Sequence, residues 1–227
     1  GYKKEGSTSQ SFDDVLTVKI KDQSVGMRNA QKIGIKNPGV KIGENYTDYS
    51  QGSFRITGNT YDLALSGEGF FAIEFTNKAG ETDTKYTRAG QFTLNKDGYL
   101  VTEEGDYVLD TQNRRIRLNT LIDSSITDDG TIYQNGQAMA KIQVTDFADY
   151  DYLEKYGETY YQPIEGAQTI ASKAQVKSGY LEMANVQIVS EMVNLISITR
   201  AYESNQKVVQ TIDDTLDVAV NQIGRVQ

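Results

Sequence analysis

The sequence contains no histidine, no cysteine and no tryptophan, and it has two prolines in 227 residues. Without histidine and cysteine the chain cannot form a Cys/His zinc site, a Ser-His-Asp triad, a thiol nucleophile or a disulfide bond. Enzymes whose chemistry uses Asp, Glu, Lys, Ser or Tyr remain possible. The composition therefore excludes several large classes of active site, without excluding catalysis as a whole.

Long apolar runs and dense positive charge are also missing. No stretch approaches about eighteen consecutive apolar residues, and residues 1–5 have no apolar region behind their two lysines. The formal net charge is 23 − 31 = −8, and the basic residues are scattered. Such a chain lacks the basic patch that binds phosphate backbones. We therefore expect no membrane insertion and no nucleic-acid partner.

The chain is rich instead in glycine (20) and tyrosine (15), which favour tight turns and strands. Between residues 51 and 180, short apolar or aromatic runs alternate with Gly, Asn and Asp at intervals of about 8 to 12 residues, which is typical of an all-β sandwich or barrel. Phe71, Ile73 and Phe75 fall on one face of such a strand, because successive side chains point to opposite faces. We predict a central all-β domain, sandwich-like or barrel-like, at residues 51–180.

The first fifty residues are polar and only weakly periodic. We expect residues 1–50 to form an extended arm or linker with short β segments, one of them at 15–20. The strands predicted for the central domain cover residues 53–57, 61–65, 70–75, 84–94, 99–102, 107–109, 115–118, 131–133 and 138–147.

The pattern becomes helical near residue 185, after which glycine and proline are absent until Gly224. Counting in sevens from Ile188 and from Glu191 gives twelve a and d positions of a heptad repeat, ten of them apolar or aromatic. A helix of about 40 residues would be roughly 60 Å long, too long to lie against one small β domain. We therefore predict a mainly β fold with a long C-terminal α-helix, in which residues 181–227 form a heptad helix that acts as stem and assembly segment.

The a and d positions form a seam, which is the predicted assembly interface. A fully buried Leu, Ile or Val contributes roughly 1.5 to 3 kcal/mol, and the sequence has no second long amphipathic helix to bury the seam. The partner must then come from another chain or from sequence upstream, unless the helix packs on its own β domain. Asn205, at a d position, either fixes the register of the pairing or turns to solvent. The interface residues are Ile188, Leu195, Ile198, Tyr202, Asn205, Val209, Ile212, Leu216, Ala219 and Ile223.

Several blocks of sequence occur in an order that resembles a known family, the axial rod and hook proteins of the bacterial flagellum. The resemblance is strongest to the rod proteins of the basal body, distal or proximal, with a preference for the distal rod. It covers most of the chain. The blocks are residues 1–4 (GYKK), 51–54 (QGSF), 57–65, 67–71 (GEGFF), 86–92 (YTRAGQF), 97–101, 181–186 (LEMANV), 191–196 and 200–207.

The resemblance implies a structural subunit that polymerises axially into the torque-transmitting tube of the rod, with terminal helices lining the tube and β domains outside. It implies export beyond the cytoplasmic membrane by the flagellar type III apparatus, without a cleaved signal peptide, and a location in the basal body. The expected partners are copies of the chain and other rod or hook subunits. The family's N-terminal helix is absent, so we also expect a fragment whose own missing N-terminal helix is a partner. No enzymatic activity and no cofactor are implied.

Other functions compete with this interpretation. The chain could be a secreted adhesin or carbohydrate-binding module on a coiled-coil stalk, using the tyrosine-rich stretch at 150–161. It could also be a hydrolase built on paired carboxylates. Turn chemistry and a solvated surface explain the acidic clusters at 103–104, 128–129 and 149–151 more simply. The Gly-rich residues 66–71 lack the ending of a phosphate loop. We therefore expect no catalytic, cofactor or metal site.

Overall fold

The computed structural model describes residues 1–11, 15–19, 31–36, 39–77 and 80–222. The chain divides into two compact units, Gly1–Asn185 and Val186–Gln227. The first is built of strands with one short 3-10 helix at Tyr150–Tyr152, and the second contains the α-helix α1 (Ile188–Gln222). The expectation of a mainly β fold with a long C-terminal helix is thereby confirmed. The separation of residues 1–50 as an arm of their own stays a prediction.

The strands of the first unit are, in chain order, β1 (Lys4–Ser11), β2 (Val15–Lys19), β3 (Gln31–Lys36), β4 (Val40–Asp48), β5 (Phe54–Ile56), β6 (Leu63–Ser66), β7 (Phe70–Thr76), β8 (Thr82–Thr87), β9 (Phe92–Leu94), β10 (Leu100–Thr102), β11 (Tyr107–Val108), β12 (Ser124–Ile126), β13 (Thr131–Gln134), β14 (Gln137–Lys141), β15 (Val144–Phe147), β16 (Leu153–Tyr156), β17 (Tyr160–Pro163), β18 (Thr169–Ala171), β19 (Gln175–Ser178) and β20 (Tyr180–Glu182).

The largest sheet has its strands in the order β16-β17-β8-β7-β11-β10-β9, with β15 joining β7 and β18 joining β15. Its centre is β7, which is buried on both faces. Phe71 belongs to a core cluster with Leu65 and Phe92, whereas its neighbour Phe70 belongs to a second cluster with Phe147 and Tyr161 on the other face. The alternation in β7 therefore separates two apolar layers instead of an apolar and a polar face.

The ends of the first unit are held by pairings between distant parts of the sequence. Strands β1 and β4 form a two-stranded antiparallel ribbon from Lys4 opposite Asp48 to Ser11 opposite Val40. β2 pairs with β3, β6 with β19 and β5 with β20, all antiparallel. Residues 175–182 are therefore paired with residues 54–66, which lie more than a hundred positions earlier in the sequence.

Two predicted strands are interrupted. The strand predicted over 84–94 stops at Thr87 and resumes at Phe92, because Arg88 leaves the sheet to bury its guanidinium and Gly90 packs against Leu63. A Cβ on Gly90 would lie 1.8 Å from the Leu63 carbonyl oxygen, which leaves room for glycine alone. The strand predicted over 138–147 is also divided, into β14 and β15. Between them, Ile142 forms an isolated bridge with Asp110.

Helix α1 has 35 residues and is therefore about 50 Å long. Among the described residues, no helix has both the length and the hydropathy needed to cross a membrane.

Candidate assembly site

The predicted seam runs along α1 with its apolar side chains open to solvent. Its seven large apolar members are between 53% and 70% exposed, Asn205 is exposed, and Ala219 is half-buried. Ile223 lies outside the described residues. Covering these seven side chains would contribute on the order of 10 kcal/mol or more, which is comparable to the total stability of a small domain. The seven are Ile188, Leu195, Ile198, Tyr202, Val209, Ile212 and Leu216.

A second apolar stripe, which the count in sevens missed, occupies the first three turns of α1. Val189, Met192, Val193 and Ile196 are between 50% and 76% exposed. Their spacing of i, i+3, i+4 and i+7 places them on one helix face, roughly a third of a turn around the helix from the seam. A search for the 3.6-residue period would have found them. The start of α1 therefore offers two apolar faces, while its later turns offer one.

The first unit contains a buried ion cluster that no sequence argument anticipated, which we call the charge junction. It consists of Lys3, Arg88 and Glu182, whose side chains are no more than 4% exposed. Lys3 Nζ lies 2.7 Å from Glu182 Oε1, and Arg88 Nε lies 2.9 Å from Glu182 Oε2. One carboxylate thus pairs with two cations that are 85 positions apart in the sequence.

Backbone groups complete the bonding of the charge junction. The Gly52 amide donates to Glu182 Oε1 at 2.9 Å, and Lys3 Nζ donates to the Ser50 carbonyl at 2.8 Å. The Arg88 guanidinium donates to the carbonyls of Gly67, at 2.6 Å, and Gly69. Such bonds are required because a buried charge without partners is strongly destabilising.

Burial and charge act in opposite directions on the acid of the junction. Desolvation is the largest influence on Glu182 and would raise its pKa, but Arg88, Lys3 and the Gly52 amide together outweigh it and hold the pKa below its ordinary value. Desolvation also dominates at Lys3 and lowers the pKa of its ammonium group, although Glu182 opposes that shift. We conclude that Glu182 is ionised near neutral pH.

The first residues of the chain are fastened beside the junction by a second set of bonds. The Gly1 nitrogen donates to the Glu182 carbonyl at 2.7 Å, and the Lys4 amide donates to Asn185 Oδ1 at 2.7 Å. Asn185 Nδ2 in turn donates to the Asp48 carbonyl at 2.8 Å. Asn185, three residues before α1 begins, is therefore hydrogen-bonded to both strands of the β1–β4 ribbon.

The tyrosine-rich stretch at 150–161 serves mainly the core of the first unit. Tyr160 and Tyr161 are buried, and Tyr150 packs on Phe70 and Tyr49 beside a cavity of about 470 Å³. Only the rings of Tyr152 and Tyr156 are exposed, at 41% and 43%. This arrangement favours packing over the ligand patch that the adhesin hypothesis required.

Carboxylates of the acidic clusters are bonded to nearby side chains. Asp129 accepts hydrogen bonds from Thr127 and Thr131, Asp128 pairs with Lys177, and Glu104 accepts a hydrogen bond from Tyr160. No group of three or more potential metal ligands occurs in the part of the chain that the structure describes. The clusters are therefore explained by turns and surface pairs.

Comparison with known proteins identifies the class. Residues 64–136 match the family model of the flagellar hook protein FlgE/F/G D1 domain, and residues 177–223 match that of the flagellar basal body rod FlgEFG protein C-terminal. The D1 match covers strands β7 to β13, and the C-terminal match covers β20 and all of α1. The fold and its exposed helix thus belong to a flagellar axial protein.

Full-length relatives make the assignment specific. The chain is 33% identical to the flagellar basal-body rod protein FlgG of Bacillus subtilis over 240 residues, covering 97% of this chain and 87% of the relative. It is 34% identical to FlgF of Caulobacter vibrioides, covering 79% and 72%, and 31% identical to FlgG of Agrobacterium fabrum, covering 96% and 86%. The chain belongs to the flagellar basal-body rod protein family, as the ordered sequence blocks predicted. The preference for the distal rod stays a prediction.

Proposed function

We propose that the chain is a structural subunit of the flagellar basal-body rod and that its role is mechanical, without catalysis. In this account it is exported beyond the cytoplasmic membrane and polymerises along the rod axis through α1. The observation that carries the proposal is the 35-residue helix whose heptad seam is exposed along its described length. Family membership supports an assembly in which that seam is covered.

The seam requires a helical partner because of its period. A strict seven-residue repeat matches the 3.5-residue turn of supercoiled helices, so it stays in contact with another helix over its whole length. Subunits that present such a surface to a different surface of the next copy, through an operation that does not close, build a filament or tube. The proposed partners are other copies of the chain and other rod or hook subunits.

A helical segment preceding Gly1 is the second proposed partner. The Gly1 nitrogen is bonded to the Glu182 carbonyl and the Lys4 amide to Asn185, so such a segment would join the first unit close to the residues that lead into α1. Two helices that start from nearby points pair at a high effective concentration. This neighbourhood supports pairing between the two terminal helices of one subunit.

Substitution within the seam tests the proposal. Leu195→Asp or Ile212→Asp, introduced into the gene of the bacterium itself, should abolish rod assembly and swimming, because each places a charge at a buried helix contact. Ser204→Asp is the matched control, since it adds the same charge at an exposed position outside the seam. The thermal unfolding of the first unit, measured in the purified chain, should be unchanged in all three. Normal swimming with either seam variant would contradict the proposal.

A further inference from the structure

The charge junction joins three parts of the chain that the sequence keeps far apart. Lys3 comes from the segment leading into β1, Arg88 from the turn after β8, and Glu182 from the end of β20. All three lie in blocks that carry the family resemblance, as do Gly52, Gly67 and Gly69, whose backbone groups complete the bonding. Five separated blocks thus meet at the charge junction.

The packing around Glu182 leaves little freedom for the surrounding backbone. A Cβ on Gly52 would lie 2.0 Å from the Met183 carbonyl oxygen, so the chain at residue 52 fits against β20 only as glycine. Lys3 is 1% exposed although it is only three residues from the start of the chain. A lysine is rarely buried so completely unless its ammonium is paired, which indicates that its contact with Glu182 is specific.

Lys155 makes further contacts with the same segment. Lys155 Nζ pairs with Glu5 Oε1 at 2.5 Å and lies 4.5 Å from the centre of the Tyr2 ring. Together with the bonds of Gly1 and Lys4 to residues 182 and 185, these contacts fix residues 1–5 along their whole length. We call residues 1–5 the strap.

We propose that Glu182 and Lys3 are positioning residues for rod assembly: their buried contact fastens the strap to β20, so that the segment entering at Gly1 and the helix that follows Asn185 start from one fixed point. This inference rests on the proposed function, because positioning matters only if α1 and a segment before Gly1 assemble. It goes beyond that function in assigning the geometry to a single buried ion cluster. Arg88 keeps Glu182 ionised and directed towards the strap.

Lys3→Met is the most direct test. It removes the ammonium that reaches Glu182 but leaves the Arg88 pair with Glu182 intact. Backbone amides in residues 4–11 and 40–48 should then exchange with solvent about 10- to 100-fold faster, the effect of losing one charged hydrogen bond. Amides in β6 and β7 should keep their rates. Lys96→Met is the matched control, since it removes the same charge from an exposed turn.

The same variants in the full-length protein separate positioning from mere stability. Lys3→Met should reduce swimming and the yield of assembled rods while export and the melting of the core stay unchanged, and Lys3→Arg should restore most of the function. Unchanged exchange in the strap region would overturn the inference, as would a loosened strap with normal swimming. Neither outcome bears on the seam variants Leu195→Asp and Ile212→Asp. If those variants still abolish swimming, the proposed function stands even when this inference fails. Should Lys3→Met fail to fold, Glu182→Asp, which keeps the charge and shortens its reach, decides by the same readouts.

Discussion

At the scale of single residues, Glu182 joins segments of the first unit that lie far apart in the sequence. Its two carboxylate oxygens accept from Lys3, Arg88 and the Gly52 amide, and its carbonyl accepts from Gly1. A glutamate in a short strand gives no sign of such a role, because most glutamates are exposed. Lys3, Arg88 and Glu182 each lie in a block that carries the family resemblance, which marks them as candidates for a role. Their spacing in the sequence cannot show that they contact each other.

Glu182→Gln should destabilise the first unit by about 3 to 5 kcal/mol, because the change leaves two buried cations without a counter-charge. The measurement is the urea-induced unfolding of the purified chain at pH 7. The control is Glu68→Gln, the same substitution at an exposed carboxylate, which should change the free energy of unfolding by less than about 0.5 kcal/mol. Equal stability of the two variants would refute the assigned role of Glu182.

The pH dependence of unfolding provides an independent check on Glu182. Its folded-state pKa is held below the ordinary value, so the unfolded chain binds more protons as the solution is acidified. The stabilisation is therefore fully present above the unfolded pKa of about 4.3 and is lost as the pH falls through the folded pKa. The difference in unfolding free energy between wild type and Glu182→Gln should shrink below about pH 4.3. A difference that stays constant down to pH 3 would contradict this account.

At the scale of elements, α1 was the most predictable feature. Its heptads, and the absence of glycine and proline within it, are local properties that the sequence displays directly. The second apolar stripe of Val189, Met192, Val193 and Ile196 was overlooked because only the seven-residue period was counted. From its exposure we predict a second contact at the start of the helix, distinct from that of the seam.

Val193→Asp tests the second stripe. If both faces of the first turns are covered during assembly, this variant should reduce rod yield and swimming as strongly as a seam variant. Val218→Asp is the matched control, because Val218 is equally an exposed valine of α1 but lies outside the seam and the stripe. The yield of basal bodies from the two strains decides. A yield from the Val193→Asp strain as high as that from the Val218→Asp strain, with both at the wild-type level, would show that the stripe is a solvated surface.

The strands were predictable where alternation was clear and unpredictable where they end. β7 and β13 coincide closely with the predicted segments, since each shows its own pattern and is bounded by turn residues. The break after Thr87 was missed because nothing local demands it. It exists because Arg88 must reach Glu182, 94 positions further along the sequence, and because Gly90 must approach Leu63. Such endings depend on tertiary contacts.

At the scale of the whole molecule, the division into a β unit and a helix follows from the periodicity of the apolar residues. The period changes near residue 185, from the alternation of strands to the heptads of a helix. The class of fold could therefore be predicted, whereas the partner of the helix stays a proposal. The joining of the first residues to residues 182 and 185 could not, because pairings between distant segments leave no periodic trace. The family pattern supplied the function, and the structure adds the charge junction, which joins Lys3, Arg88 and Glu182.

The central claim, that the seam of α1 becomes covered when the rod assembles, can be measured through the accessibility of a single thiol. The chain has no cysteine, so Leu195→Cys provides one unique site in this chain for a maleimide reagent. In a strain that still swims, the thiol should react readily in the monomer, at least tenfold more slowly in isolated basal bodies, and again readily after the rods are dissociated with denaturant. Equal reactivity in monomer and basal bodies would show that the seam stays exposed in the rod and would contradict the account.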